Sequence, residues 1–305
     1  MRKILLSAIV AIIAVVSNDA IAATNEKPFI LASNQAGDLV AVTADATAKL
    51  KGAGFEIAGT YSPYPTVNLI IITNEALKQA AAKSEKGGFG AAQRVSITRH
   101  NGKIQVAYTN PRYMAGVYRM KADLGFVADA LARALGNIRQ YGMNNGMNDK
   151  DLRHYHYMIG MEYFDDLHQL SRFKTHREAV ASVEKGLAAG TMGITKVYRI
   201  DIPGKDEVLF GVAMNGAKGA GKMQDDSYLM SEIDFKDIRS SAHLPYEMLV
   251  SDHRVQALSA RFRIAIDFPD LSMMGANSFM NIMESPDAIK HALTMAAGDH
   301  WERLE

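Results

Sequence analysis

Histidine and methionine alternate in one short stretch, His154-Tyr155-His156-Tyr157-Met158-Ile159-Gly160-Met161. As a strand it lines up His154, His156 and Met158 on one face; as a helix, His154, Met158 and Met161. Imidazole with soft thioether suits copper, Cu(I) above all. His154, His156, Met158 and Met161 are therefore the candidate metal ligands. The chain carries 17 methionines, with a second group at Met273, Met274, Met280 and Met283, and it has no cysteine. Methionine is also an adaptable core filler, and packing accounts for the same residues without a metal.

A second set of side chains brackets two expected hairpins. Arg94 and Arg112 flank the first, and His243, Tyr246 and Glu247 open the second. Arg261 and Arg263 would share a strand face opposite Phe262, Ile264 and Ile266. If the halves of the chain pair about a pseudo-twofold, these seven residues line a cleft where guanidinium forks hold a carboxylate or similar anion. Interdomain ion pairs or solvated edge charges would use the same residues with no ligand. His243 and Glu247 could instead be the acid–base pair of an enzyme, which then needs a nucleophile that no motif points to. Gly-x-Ser-x-Gly, His-Glu-x-x-His and zinc-site spacings do not occur. Gly216-Ala217-Lys218-Gly219-Ala220-Gly221-Lys222-Met223 approaches a phosphate-binding loop, but Met223 stands where a hydroxyl should hold magnesium. The Asp225-Asp226 pair that follows repels anions.

The elements that must position these residues repeat in order. In the first half, residues 38–50 have helical spacing, 55–61 and 67–73 read as strands, and 75–83 as a short helix behind an Asn74 cap. Residues 94–99 and 104–109 alternate in polarity around Asn101-Gly102, a hairpin whose turn needs positive φ. The second half follows with a helix at 177–187, strands at 196–202 and 208–214, and a hairpin of 246–251 with 255–267. Each hairpin runs to a proline, Pro111 or Pro269, ahead of a methionine-bearing stretch. Between the halves, residues 123–135 form an amphipathic helix closed by Gly136, and 152–164 a helical or extended segment. A helix near 286–297 ends the chain. The expected fold is α+β: two similar helix-on-antiparallel-sheet repeats, at 28–120 and 175–305, joined by a helical connector at 121–174.

Arg94-Val95-Ser96-Ile97-Thr98, the Asn-Gly turn and the following Ile-Gln-Val-Ala-Tyr-Thr-Asn-Pro resemble the core of the family catalogued as domain of unknown function 302. His243-Leu244-Pro245-Tyr246-Glu247-Met248-Leu249-Val250 resembles the same family's proline-led hairpin strand. The resemblance covers about 90 residues in each half. It implies a small α+β domain with helices against a mostly antiparallel sheet, often associating in pairs, here within one chain. Tyr246 stands where relatives often carry cysteine, so no thiol role carries over.

Arg2 and Lys3, an uncharged run at 4–16 and Ala20-Ile21-Ala22 form the three parts of a cleavable signal peptide over 1–22. The run is shorter than the roughly 20 residues of a permanent membrane anchor. The expectation is an exported, periplasmic protein with no stable membrane anchor. Lacking cysteine, it is stabilised by its core rather than by disulfides. The formal net charge is +1, with no block of like charges. Nucleic-acid binding relies on a basic footprint that is missing here. The expected partners are a small molecule, a metal ion such as copper, or another protein. The leading expectation is a non-enzymatic binding or accessory factor, with an enzyme or a structural assembly partner as alternatives.

Overall fold

A computed structural model describes residues 25–301. The signal segment expected at 1–22 lies outside the described residues. In chain order the elements begin β1 (Phe29–Gln35), α1 (Leu39–Gly52), β2 (Glu56–Tyr61), β3 (Val67–Thr73), α2 (Glu75–Ala82), β4 (Gln93–His100), β5 (Lys103–Thr109) and α3 (Pro111–Val117). Then come α4 (Gly125–Leu135), β6 (Arg139–Tyr141) and α5 (Asp149–Arg153). The second half holds β7 (His168–Arg172), α6 (His176–Ala188), β8 (Ile194–Asp201), β9 (Glu207–Met214), α7 (Asp226–Ile233), β10 (Tyr246–Ser251), β11 (Arg254–Ala257), α8 (Ala260–Asp267) and α9 (Ser285–Ala296).

Local chemistry explains where these elements start and turn. Asp38 caps α1 by accepting from the Ala41 N–H, and Asn74 caps α2 through the Leu77 N–H. Thr175 and Glu178 form a reciprocal capping box on α6. Asn101 and Gly102 both take positive φ in the β4–β5 turn, as the dipeptide demands. β3 is apolar nearly throughout because it is an interior strand, buried on both faces.

The fold is α+β, with two antiparallel sheets. One runs β2-β3-β4-β5-β1-β6 and the other β8-β9-β10-β11-β7. Apart from β6 the two share one strand order. β2 is bulged between Ile57 and Gly59, and its counterpart β8 between Lys196 and Tyr198. β1 and β7 also carry irregularities in their pairing. Buried apolar residues of both sheets belong to one continuous cluster, so the halves share a core.

The sheets meet at their bulged edges. A Cβ on Gly59 would stand 2.5 Å from the Val197 carbonyl oxygen, so β2 and β8 approach backbone to backbone. Gly59→Ala should therefore cost about 1–3 kcal/mol by forcing the edges apart. Urea unfolding checks this, and a variant as stable as the parent would show that the seam gives without strain. Each half also lays the turn before its hairpin across the other half. Gly87–Gly90 packs on β9 and β10, and Ser241–His243 packs on β3, β4 and β5.

Four expectations need correction. Residues 255–267 are not one strand: β11 stops at Ala257, and α8 carries Arg261 and Arg263. Every residue of α8 from Phe262 to Asp267 is buried, so its apolar alternation reflects burial on all sides rather than a strand face. With α8 in place, the counterpart of Asn110-Pro111 is Ser259-Ala260 at the start of the helix, not Pro269. Residues 152–164 hold only the end of α5, followed by irregular chain. The expected helical connector is also partly strand, with β6 joining the first sheet and β7 the second.

Candidate functional site

The second half's turn delivers His243 to the seam, β10 adds Tyr246 and Glu247, and α8 adds Arg263 and Asp267. Arg94 arrives from β4 of the other sheet. Five of the seven expected ligand residues (Arg94, His243, Tyr246, Glu247 and Arg263) are thus brought to one place, each no more than 5 % exposed. They bind one another. Glu247 Oε2 accepts from Arg263 Nη1 at 2.7 Å. Its Oε1 accepts from the Tyr198 hydroxyl at 2.9 Å and from Arg94 Nη1 at 3.4 Å. Arg263 also donates to Tyr118 Oη at 3.2 Å and to the carbonyls of His243 and Pro245. Burial works against the Arg263 charge, but the facing Glu247 carboxylate, together with Tyr118, Asp267 and Tyr246, outweighs it and the pKa stands raised.

Beside this clasp lies a relay. His243 Nδ1 is 2.7 Å from Asp267 Oδ2, and Nε2 is 3.1 Å from the Tyr246 hydroxyl. A carboxylate at Nδ1 selects the tautomer with its proton there, leaving Nε2 to accept from Tyr246. Burial lowers the His243 pKa, with Asp267 opposing it, so the ring is neutral near pH 7. Burial raises the Tyr246 pKa, which keeps its hydroxyl protonated. Hydroxyl, base and orienting acid occur in the order used for nucleophile activation. All three are enclosed, and Nε2 is spent on Tyr246. The relay therefore orients the turn into β10 instead of meeting a solvent-borne substrate.

The remaining expected residues lie elsewhere. Arg112 is part-exposed and pairs with Asp123 at 3.2 Å and Asp129 at 3.8 Å, beside the start of α4. Arg261 pairs with Glu162 at 3.2 Å. That pair borders a crevice lined by Met161, Phe262, Phe268 and Met273, with room of about 30 Å³, little more than one water. His154 is exposed, with Nδ1 2.9 Å from the Lys150 carbonyl. His156 packs its ring on Tyr163 at 4.4 Å, and Met158 is a little under half exposed. Met161 lines the crevice instead of joining the histidines on a regular face. Among the described residues no group of three or more His, Cys, Asp or Glu could hold a metal ion. The glycine loop at 216–223 is occupied by its own chain: Gln224 accepts from Ala220 N–H and donates to the Met192 carbonyl.

Two open cavities, absent from the expectations, flank the segment 234–240 at the seam. One, about 340 Å³, is lined by Lys27, Arg139 and Tyr141 on one side and by Lys236, Asp237 and Asp270 on the other. The second, about 390 Å³, takes Thr66 from the β2–β3 turn, Arg99 and His100 from β4, and Ser227, Ser231 and Arg239 from the second half. The clasp residues line neither cavity. The segment between them is pinned to the first sheet. Gln105 accepts from the Arg239 N–H and donates to the Asp237 carbonyl, and Tyr141 donates to the Arg239 carbonyl. No local signal links Arg239 to His100, which are 139 positions apart.

Among the described residues no helix is long and apolar enough to cross a membrane. Comparison of the chain with protein-family models, curated proteins and solved structures gave no match.

Proposed function

We propose that this is an exported, non-catalytic binding or accessory protein that takes a small ligand at the seam between its two sheets. The observation that carries this reading is the pair of open seam cavities, each lined from both sides and separated by one pinned segment. The buried clasp beneath has its charged groups paired with one another and acts as the fixed frame. The ligand expected between the hairpins is thereby moved outward, from Arg94 and Arg263 to the cavities beside Arg239. An enzyme built on His243 and Glu247 would need its substrate to reach side chains that are enclosed. The shared strand order and the matching edge bulges support reading the halves as copies of one unit, the domain-of-unknown-function 302 unit that the two hairpins resemble.

The test is native mass spectrometry of protein recovered from its own host without denaturation. A retained non-covalent mass that leaves on denaturation is the expected result. A bare chain mass, with no shift in melting temperature across a metabolite panel, would remove the binding reading in favour of an assembly role.

A further inference from the structure

We infer that the cavity between β6 and the segment 234–240 is a site for a small zwitterion, an α-amino acid or short peptide, held with its carboxylate toward the first half and its ammonium toward the second. This rests on the binding reading above and names the ligand's chemistry. The cavity, about 340 Å³, has room for such a molecule. Its two walls carry opposite charge. Lys27 and Arg139 are the charged residues of the first-half wall, whereas Asp237 and Asp270 outnumber Lys236 on the open part of the second.

Strand geometry aims Arg139 at the cavity. Arg139 and Tyr141 pair with Leu31 and Phe29, which pair in turn with Ala107 and Thr109. Successive strand residues alternate faces, so Arg139, Tyr141 and Gln105 project from one side of the sheet. Tyr141 donates to the Arg239 carbonyl and Gln105 to the Asp237 carbonyl, each at 2.7 Å, so that side is the one facing the pinned segment. Lys27 joins Arg139 there: its ammonium donates to the Asn144 carbonyl at 2.7 Å, and both residues line the cavity. Among the described residues neither cation lies within ion-pair distance of a carboxylate. A guanidinium fork beside an ammonium supplies the donors that a ligand carboxylate needs.

The acids of the opposite wall are loosely held. Asp270 meets Lys236 only at 3.9 Å, and Asp237 stands 4.0 Å from His100 with its side chain almost wholly in solvent. Burial and the Arg239 charge depress the His100 pKa, so the ring is neutral near pH 7 and leaves the Asp237 charge standing. Pairs of this length are weak and give way to a better-placed cation. Asp234 takes no part: its carboxylate accepts from the Ser240 N–H and the Ser241 hydroxyl and faces the Arg239 charge. Among the described residues no ion pair crosses from one wall to the other. Opposite charges that face each other without meeting are bridged by a ligand that carries both. Phe235, 41 % exposed, and Phe268 line the same cavity and offer an apolar surface to the ligand's side chain.

The test titrates the full chain at low salt with leucine, phenylalanine and leucyl-glycine, with phenylpropionate and phenethylamine as single-charge controls, and reads binding by calorimetry. At least one zwitterion should bind about tenfold more tightly than either control, the worth of one charge-assisted hydrogen bond. Arg139→Gln and Asp270→Asn should each weaken that binding by about tenfold or more. Arg139 is exposed and makes no ion pair, so its variant remains informative if Asp270→Asn fails to fold. Leucine binding more tightly than leucyl-glycine identifies a free amino acid; the reverse identifies a peptide held by its two ends. Silence with all three zwitterions, controls that bind as tightly, or equal binding by parent and Arg139→Gln, overturns the inference. A retained native mass that survives Arg139→Gln would leave the binding reading standing while the zwitterion site fails.

Discussion

Glu247→Gln should lower the stability of the folded chain by about 3–5 kcal/mol, the usual cost of removing one partner from a buried ion pair. The carboxylate sits between two buried guanidiniums, Arg263 at 2.7 Å and Arg94 at 3.4 Å, and also accepts from Tyr198. An amide keeps the shape and removes the charge. Two cations then remain enclosed at the seam with their principal anion gone, and neither can return to water without parting the sheets. Replacing the three charged groups together, as Arg94→Met, Glu247→Leu and Arg263→Met, should recover much of the loss, because no charge is then left uncompensated. Urea midpoints at constant slope measure both effects. A loss below about 1 kcal/mol for Glu247→Gln would mean that the clasp does not hold the halves together. Ligand retention in a variant that still folds separates frame from site, since the clasp lines neither seam cavity.

The pairing of Arg94 with Glu247 has a geometric origin. In the first sheet Gly59, Ile71 and Arg94 lie in one row, and in the second Tyr198, Gly211 and Glu247 form the corresponding row. The residues that meet across the seam thus hold equivalent places in the two sheets. Identical copies would bring like charges together there. Arginine in one and glutamate in the other convert a repulsive meeting into an attractive one and favour the pairing within this chain.

Much of this arrangement could be read from local chemistry. The caps at Asp38 and Asn74, the Asn101-Gly102 turn and the apolar run of β3 each show through short-range rules, and the elements they define are present. The convergence of Arg94, His243, Tyr246, Glu247 and Arg263 was legible because pairing two similar halves places their hairpins side by side. Whether they would face a ligand or each other was not legible, since burial is a property of the whole packing. α8 reads as a strand for a related reason: a helix enclosed on all sides loses the polar stripe that reveals its period. Arg112 joins the group as a flank of the first hairpin and Arg261 through a strand face that α8 replaces, and other acids claim both. The seam cavities are lined by residues far apart in the chain, such as Arg239 and His100 in the second, which no local pattern encodes.

Raising the pH from 5 to 8 should destabilise the protein, and Asp226→Asn should remove much of that dependence. Asp226, at the first turn of α7, is enclosed at the seam. Its Oδ2 accepts from the Tyr61 hydroxyl of the other sheet at 2.7 Å and from the Met214 N–H at 2.9 Å. Burial raises its pKa from 3.8 to about 7; those two hydrogen bonds oppose the rise, and the neighbouring Asp225 adds to it. Between pH 4 and pH 7, roughly, the folded chain therefore keeps a proton that the unfolded chain has released. Stability falls as the pH climbs through that window and levels off on either side. A displacement of this size corresponds to about 4 kcal/mol across the whole window. Asp234, raised to about 6 by burial, works in the same direction. Asparagine at 226 keeps an oxygen for Tyr61 and Met214 but has no charge to enclose. The variant should match the parent more closely near pH 5 and exceed it near pH 8, with the residual dependence set by Asp234 and, in the opposite direction below about pH 6.5, by the buried histidines such as His243. Unfolding free energies at several pH values decide the matter. A parent whose stability is flat or rising from pH 5 to 8 would mean that Asp226 is ionised at little cost, leaving the Tyr61 hydrogen bond as an ordinary charge-assisted contact across the seam.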